Sequence, residues 1–335
     1  MIVTVTANPA IDKTLALPHQ LARGEVQRLT GSESQAGGKG INVSRALRAS
    51  KLDNLAIFPA SADDDFTRLV EAEGLRMLPV RIEGKVRTNF AVTEADGTTT
   101  KLNEPGPRLS TAEADALVAA VVAASHGVEW LVLAGSLPLG VDSSFYATLI
   151  EAVRAELGSA SPRVAVDSSD APLEALLASG TRVQLIKPNA FELADLSGIS
   201  DGDTLEADPQ LAADAAGRAL ERGADAVLAT LGGAGAIYRD ATTSLFATPP
   251  PTRVRSTVGA GDSSLAGYLL ASVTGATPER ALAQAVAHGS AAASLPGSGV
   301  PSPEQTQPDL VRIDHLATTG DHSNSTATST KENAS

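Results

Sequence analysis

Ser256-Thr-Val-Gly-Ala-Gly-Asp262 runs without a break into the apolar helical pattern Ser263 to Val273. Two glycines therefore stand where a loop becomes a helix. The N–H groups of a first helical turn have no intrahelical partner and the helix dipole adds positive potential there, so this junction is a ready anion site. Asp262 lies inside it. A carboxylate would repel a phosphate that merely bound at this spot, yet it suits a group that takes a proton from a nucleophile attacking that phosphate. The plain alternative is a glycine-permitted turn whose Asp complements the dipole.

Upstream of the junction, short β-branched or apolar runs recur: Ile2 to Thr6, Trp130 to Ala134, Arg163 to Val166, Val183 to Ile186 and Ala226 to Ala229. Helical patterns lie between them, as where Phe145, Leu149, Val153 and Leu157 return to one face. This alternation predicts an α/β fold with a central, mostly parallel sheet flanked by helices. Ligands bind such sheets beyond the carboxyl ends of the strands. Turn signals follow the strands there: Asn8-Pro-Ala-Ile-Asp12, Gly135-Ser-Leu-Pro-Leu-Gly140, Lys187-Pro-Asn189 and Leu231-Gly-Gly-Ala-Gly235.

One region departs from the alternation. Val86 to Leu102 reads as two strand-like runs joined by Glu94-Ala-Asp-Gly97, a hairpin. A hairpin set into an α/β protein is a candidate lid, with residues 13–35 supplying further strands to the segment 86–105. From residue 317 to 335 Ser, Thr, Asn and Gly dominate without apolar periodicity, so a disordered tail is expected after a domain spanning 1–316.

Composition narrows the function classes. Apolar residues make up 43% of the 335, enough for a large core. Aromatics are only 3%, which leaves little material for stacked-base recognition, and a formal charge of -13 disfavours nucleic acid and anionic membrane as partners. A phosphorylated ligand must then be held by local cations, N–H cradles or a metal. With no cysteine there is no disulfide framework, thiolate zinc site or cysteine nucleophile. The opening Met1-Ile-Val-Thr-Val-Thr lacks a basic n-region and no window approaches a membrane span, so a soluble, cytoplasmic protein is expected.

Gly37-Gly-Lys-Gly40 is a second glycine loop opening a helical pattern, but Lys39 is not followed by Ser or Thr, so it is not a P-loop. Either its small residues let a ligand approach the backbone beside Lys39 and Asn42, or it is an ordinary tight turn. Neither glycine cluster has the dinucleotide spacing, and the five histidines, His288 among them, form no metal-binding pair. Asn189-Ala-Phe-Glu192 reads first as a capping box. It reads equally as a place where Glu192 meets magnesium through water, since that ion keeps much of its hydration shell.

Taken together, these stretches resemble the PfkB-type sugar kinases of the ribokinase superfamily, particularly the branch acting on fructose and tagatose phosphates. The resemblance rests on Asn8-Pro-Ala-Ile-Asp12, Ala36-Gly-Gly-Lys-Gly-Ile-Asn-Val43, Arg87-Thr-Asn89, Gly135-Ser-Leu-Pro138, Val166-Asp-Ser-Ser169, Lys187-Pro-Asn-x-x-Glu192, Leu231-Gly232 and Ser256 to Asp262, in family order. It implies a ribokinase-like fold with a small β-sheet lid, ATP as donor with Mg2+, and a sugar phosphate as acceptor. Overall likeness, including Lys39 in the loop, implies fructose 1-phosphate; a homodimer through the lid is a further family expectation. By position, Asp262 is the catalytic base, and the N–H groups of Gly259, Ala260 and Gly261 form the anion hole. Asp12, Gly38, Lys39, Asn42 and Asn103 hold the sugar, while Arg87 clamps its phosphate with paired donors. Lys187, Asn189, Gly232 and Ser256 fall to the nucleotide, and Glu192 to magnesium. A sugar-phosphate-binding regulator that keeps the fold is the non-enzymatic alternative.

Overall fold

The computed structural model describes residues 1–318; the tail expected from residue 317 lies, from 319 to 335, outside the described residues. In chain order the strands are β1 (Ile2–Thr6), β2 (Ala10–Ala16), β3 (Gly31–Gly37), β4 (Asn54–Ala60), β5 (Met77–Arg81), β6 (Arg87–Thr93) and β7 (Thr99–Asn103). They continue with β8 (Trp130–Ala134), β9 (Arg163–Asp167), β10 (Leu185–Ile186), β11 (Ala226–Leu231), β12 (Gly235–Asp240), β13 (Ser244–Thr248) and β14 (Arg312–His315). Ten make one sheet in the order β14-β13-β12-β11-β10-β9-β8-β1-β4-β5, and four make a second, β3-β2-β6-β7.

The large sheet is parallel from β5 to β11 and antiparallel through β12, β13 and β14. Its central strands β1 and β8 are buried at every residue, which is why both are apolar or β-branched throughout, with no charged residue in either. Helices Thr111–Ala124, Phe145–Leu157, Asp170–Ala178, Ala190–Ser197 and Pro209–Glu221 cover one face. Lys39–Ala49, Ala260–Val273 and Pro278–Ala293 cover the other.

The run at Val183 to Ile186 yields only the two-residue β10 plus an isolated bridge from Val183 to Ala224. Gln184 explains the interruption: its side-chain oxygen, rather than a main-chain carbonyl, accepts the Val164 N–H at 2.9 Å. The small sheet starts earlier and ends later than the expected segment 13–35, taking in Ala10–Ala16 and Gly31–Gly37, and its other two strands fall within 86–105; β2 pairs β3 antiparallel and β6 parallel. The Asp-Gly turn of the β6–β7 hairpin closes as its residues require, with Gly97 at φ 93 and the Asp96 carboxylate accepting the Thr98 N–H at 2.9 Å. Ala317 is tied down, exchanging both backbone groups with the Gln210 side chain at 3.0 and 3.1 Å.

The strand order turns outward in both directions from β1 and β8. The chain leaves β1 through Asn8 towards the small sheet and leaves β8 at Gly135, so the carboxyl ends of this pair form the crevice where such folds bind ligands.

Candidate active site

Asp262 occupies the first turn of helix Ala260–Val273, facing that crevice, and is 7% exposed. Its Oδ2 accepts a hydrogen bond from the Asn42 amide at 2.8 Å. Burial, reinforced by the negative charge of Asp167, raises its pKa to about 6; Lys187, the Asn42 hydrogen bond and Lys39 pull the other way. A carboxyl group tuned this way is ionised at neutral pH and is a far better proton acceptor than an ordinary aspartate.

Gly259 caps this helix in the left-handed region, at φ 76 and ψ 0. Ser263 donates the first bond of the ladder, to the Gly259 carbonyl at 2.9 Å, so the N–H groups of Gly261 and Asp262 precede it. The Ala260 N–H, expected in the anion hole, turns back instead on the Thr257 carbonyl at 3.3 Å. A Cβ on Gly261 would lie 3.3 Å from the Lys187 ammonium, which places that cation directly over the glycine.

Asp167 is the residue to which sequence reasoning gave no role. It ends β9 and is fully buried, with Lys39 Nζ 2.8 Å from one oxygen and Lys187 Nζ 3.0 Å from the other. Burial alone would raise its pKa, but the Lys187 and Lys39 charges overcome that and hold it below the usual carboxylate range. Burial works against the Lys39 charge, and Asp167, Glu192 and Asp262 outweigh it, so its pKa rises. Lys39, expected among the sugar-binding groups, thus has its ammonium on Asp167 and 3.6 Å from Glu192, beside the residues assigned to nucleotide and metal.

The capping-box reading of Asn189 and Glu192 is correct: Asn189 Oδ1 accepts the Glu192 N–H at 2.8 Å and Glu192 Oε2 accepts the Asn189 N–H at 2.9 Å. One carboxylate oxygen, Oε1, is left over on the Lys39 side. No group of three or more acidic or histidine side chains suited to a metal occurs among the described residues. The donors therefore fit an ion that arrives on phosphate oxygens and touches Glu192 through water, not one held in a protein cage. Glu192→Gln retains an acceptor for the cap, so the melting temperature should hold while the magnesium needed for half-maximal activity rises about tenfold. A magnesium titration overlaying wild type would leave Glu192 with the cap alone.

On the other flank Asp12 and Asn89 sit opposite each other in the β2–β6 register, and Asn89 donates to Asp12 Oδ1 at 3.0 Å. Burial raises the Asp12 pKa, against the Asn89 bond and the Arg87 charge. The glycine loop is tight for internal reasons. A Cβ on Gly37 would meet Asp12 Oδ2 at 2.1 Å, and one on Gly38, at φ 113, would meet the Thr6 methyl at 2.6 Å. Its small residues admit the protein's own strand and carboxylate. Arg87 is half-buried, donating to the Glu104 carbonyl at 3.1 Å and the Asn8 carbonyl at 3.3 Å, while its Nε is buried without a partner. Asn8, another residue given no role from sequence, ties the Pro105 and Leu137 carbonyls together at 3.2 and 3.3 Å. Asn103 is exposed at the end of β7, opposite Asn89.

Gly232, at φ 51, opens the tight turn after β11, where a Cβ would meet the Glu206 carboxylate at 2.7 Å, and Ser256 Oγ accepts the Val258 N–H at 3.3 Å. His288 is buried in helix Pro278–Ala293 beside the Gln284 carbonyl, 3.0 Å away, and stands outside the site.

A family model described as pfkB family carbohydrate kinase matches residues 5–305. The 1-phosphofructokinase of Xanthomonas campestris pv. campestris is 34% identical over 281 residues, covering 82% of this chain and 85% of that protein. Phosphofructokinase-2 from Escherichia coli, solved in complex with substrates and products, superposes with a TM-score of 0.81 at 32% identity, covering 92% of this chain and 97% of that one. Arabidopsis thaliana ribokinase, at 20% identity and a TM-score of 0.71 over 91% of this chain and 96% of its own, shares the fold. With a ribokinase-like architecture and a family match over nearly its whole length, the chain belongs to the pfkB family of carbohydrate kinases.

Proposed function

We propose that this protein transfers the γ-phosphoryl group of ATP to the 6-hydroxyl of fructose 1-phosphate, with Asp262 as the base. The observation that carries the reading is the state of Asp262: buried at a helix N-terminus, one oxygen fixed by Asn42, its pKa raised to about 6. With Oδ2 occupied, Oδ1 receives the hydroxyl proton as the oxygen–phosphorus bond forms and the bond to ADP breaks. The N–H groups of Gly259 and Gly261, with Lys187 above them, offset negative charge gathering on the transferred group; Ala260 joins them if its weak bond to Thr257 opens. Glu192 would hold, through water, a magnesium ion brought by ATP, and that ion would supply further neutralisation. Lys187, Lys39, Asn189, Gly232 and Ser256 border the nucleotide.

Asp12, Asn42 and Gly38 face the sugar, with Asn103 at the rim. Arg87 holds the existing phosphate, trading its carbonyl partners for phosphate oxygens. The four-stranded sheet acts as the lid that keeps water from competing as acceptor, and as the contact of a homodimer.

Fructose 1-phosphate is chosen over fructose 6-phosphate because the curated relative of Xanthomonas is named for that activity. The likeness to phosphofructokinase-2 supports the second reading, a 6-phosphate acceptor. A regulator without turnover is disfavoured by the intact Asp262 and its glycine loop. ADP release measured with and without fructose 1-phosphate tests the reading. Turnover that requires the sugar phosphate is expected, and binding without turnover would establish the regulator instead.

A further inference from the structure

The Asn42 amide that steadies Asp262 is itself steadied. Its Oδ1 accepts from Arg45 Nη1 at 2.9 Å, one helical turn along Lys39–Ala49, which leaves Nδ2 to donate to Asp262 Oδ2 at 2.8 Å. Reversing the amide would set its oxygen against the carboxylate and its NH2 against the guanidinium, so both contacts would become repulsive. Arg45 has no freedom to follow such a flip. Its Nε and Nη2 bind Glu73 at 2.7 and 2.9 Å, and Nη2 also donates to the Ala36 carbonyl at 2.5 Å. Four of five guanidinium N–H groups are thereby committed. The pair is largely buried, with side chains 12% and 24% exposed, and Glu73 is itself fixed as the C-terminal cap of helix Asp65–Ala72.

We propose that Arg45, anchored by Glu73, is a positioning residue for the base: it selects the orientation of the Asn42 amide and thereby the Asp262 oxygen that meets the acceptor hydroxyl. The proposal rests on the reading of Asp262 as the base. Its bond to Ala36 gives the arrangement a second consequence. Ala36 lies in β3, next to the glycine loop, so the same guanidinium ties the small sheet to the group that orients the base.

The charged groups facing Asp262 are Asp167, Lys187 and Lys39, and none of them touches Arg45. The hydrogen-bonded path from Arg45 to Asp262 runs through Asn42, and the Asn42→Ala background separates that path from the direct effect of the guanidinium charge. Because the Asn42 hydrogen bond favours the ionised carboxylate, losing its orientation raises the pH at which Asp262 gains its proton.

The test compares Arg45→Met, Asn42→Ala and the double variant in the full-length enzyme, with kcat followed from pH 5 to 8. Arg45→Met should lower kcat about tenfold, the size expected for one lost hydrogen bond to a charged group. Its acidic limb should move to higher pH than that of wild type, with the KM for ATP unchanged. In the Asn42→Ala background the same substitution should add nothing further, since both act through one contact. An unmoved limb, or losses that simply multiply, overturns the proposal. If Arg45→Met does not fold, Glu73→Gln is read the same way, with a smaller shift in the same direction, and no shift overturns it. Asp262→Asn run alongside separates the two levels. If that variant is inactive while the Arg45 limb stays put, the positioning role falls and the base stands; if it turns over normally, the base itself falls.

Discussion

Asp262→Asn should fold, bind ATP and lose about 10²-fold or more of kcat, the range attributable to a positioned general base. The substitution is nearly isosteric, and removing a negative charge from an anion site cannot weaken nucleotide binding by repulsion. Thermal stability should not fall either. The folded carboxyl titrates at about 6 against an ordinary 3.8, so the charged form is disfavoured by the fold and contributes no stability at neutral pH for Asn to lose. Activity lost with stability and ATP affinity kept is therefore the expected pattern. Turnover near wild type in the purified variant would exclude Asp262 as the base.

Asp167→Asn should behave in the opposite way, striking stability first. The wild-type carboxylate neutralises Lys187, whose side chain is only 5% exposed, and Lys39, and removing one member of a buried ionic group costs about 3–5 kcal/mol. A fall in melting temperature on the order of 5–10 °C follows. Saturating ATP should recover part of it, because triphosphate oxygens replace the missing anion and bind only the folded state. The pH sign is that of a depressed carboxyl. Stability from Asp167 is fully present above the ordinary value of 3.8 and is lost as pH falls through the lower folded value. A variant that melts with wild type and gains nothing from ATP would show that the lysines find other partners.

These two aspartates also show what the sequence discloses and what it hides. The place of Asp262 at a helix start is legible because its neighbours are local: glycines at 259 and 261 are followed at once by an apolar helical pattern. The β6–β7 hairpin and the strands β1, β8 and β11 are legible for the same reason, since alternation and turn residues act over a few positions. Asp167 is not, because its partners Lys39 and Lys187 arrive from 128 and 20 residues away and no spacing encodes the meeting. The motif places Lys39 with the sugar, and its ammonium lies on Asp167. The glycines at 37 and 38 could be read as room for a ligand, whereas Asp12 and Thr6 take that room. Arg45 and Glu73 were invisible, one looking like any basic helix residue and the other like any surface acid.

Acceptor-dependent phosphoryl transfer is measured directly by kcat/KM for fructose 1-phosphate, fructose 6-phosphate and tagatose 6-phosphate. Fructofuranose is nearly two-fold symmetric, so in the proposed reading Arg87 would clamp a phosphate on either arm, and discrimination would depend on buried pairings to ring hydroxyls around Asp12 and Asn42. Such pairings are worth several kcal/mol, enough for a preference of about 10²-fold or more. A preference of that size for fructose 1-phosphate is the predicted result; a preference for either 6-phosphate, or no turnover with any of the three, would contradict it.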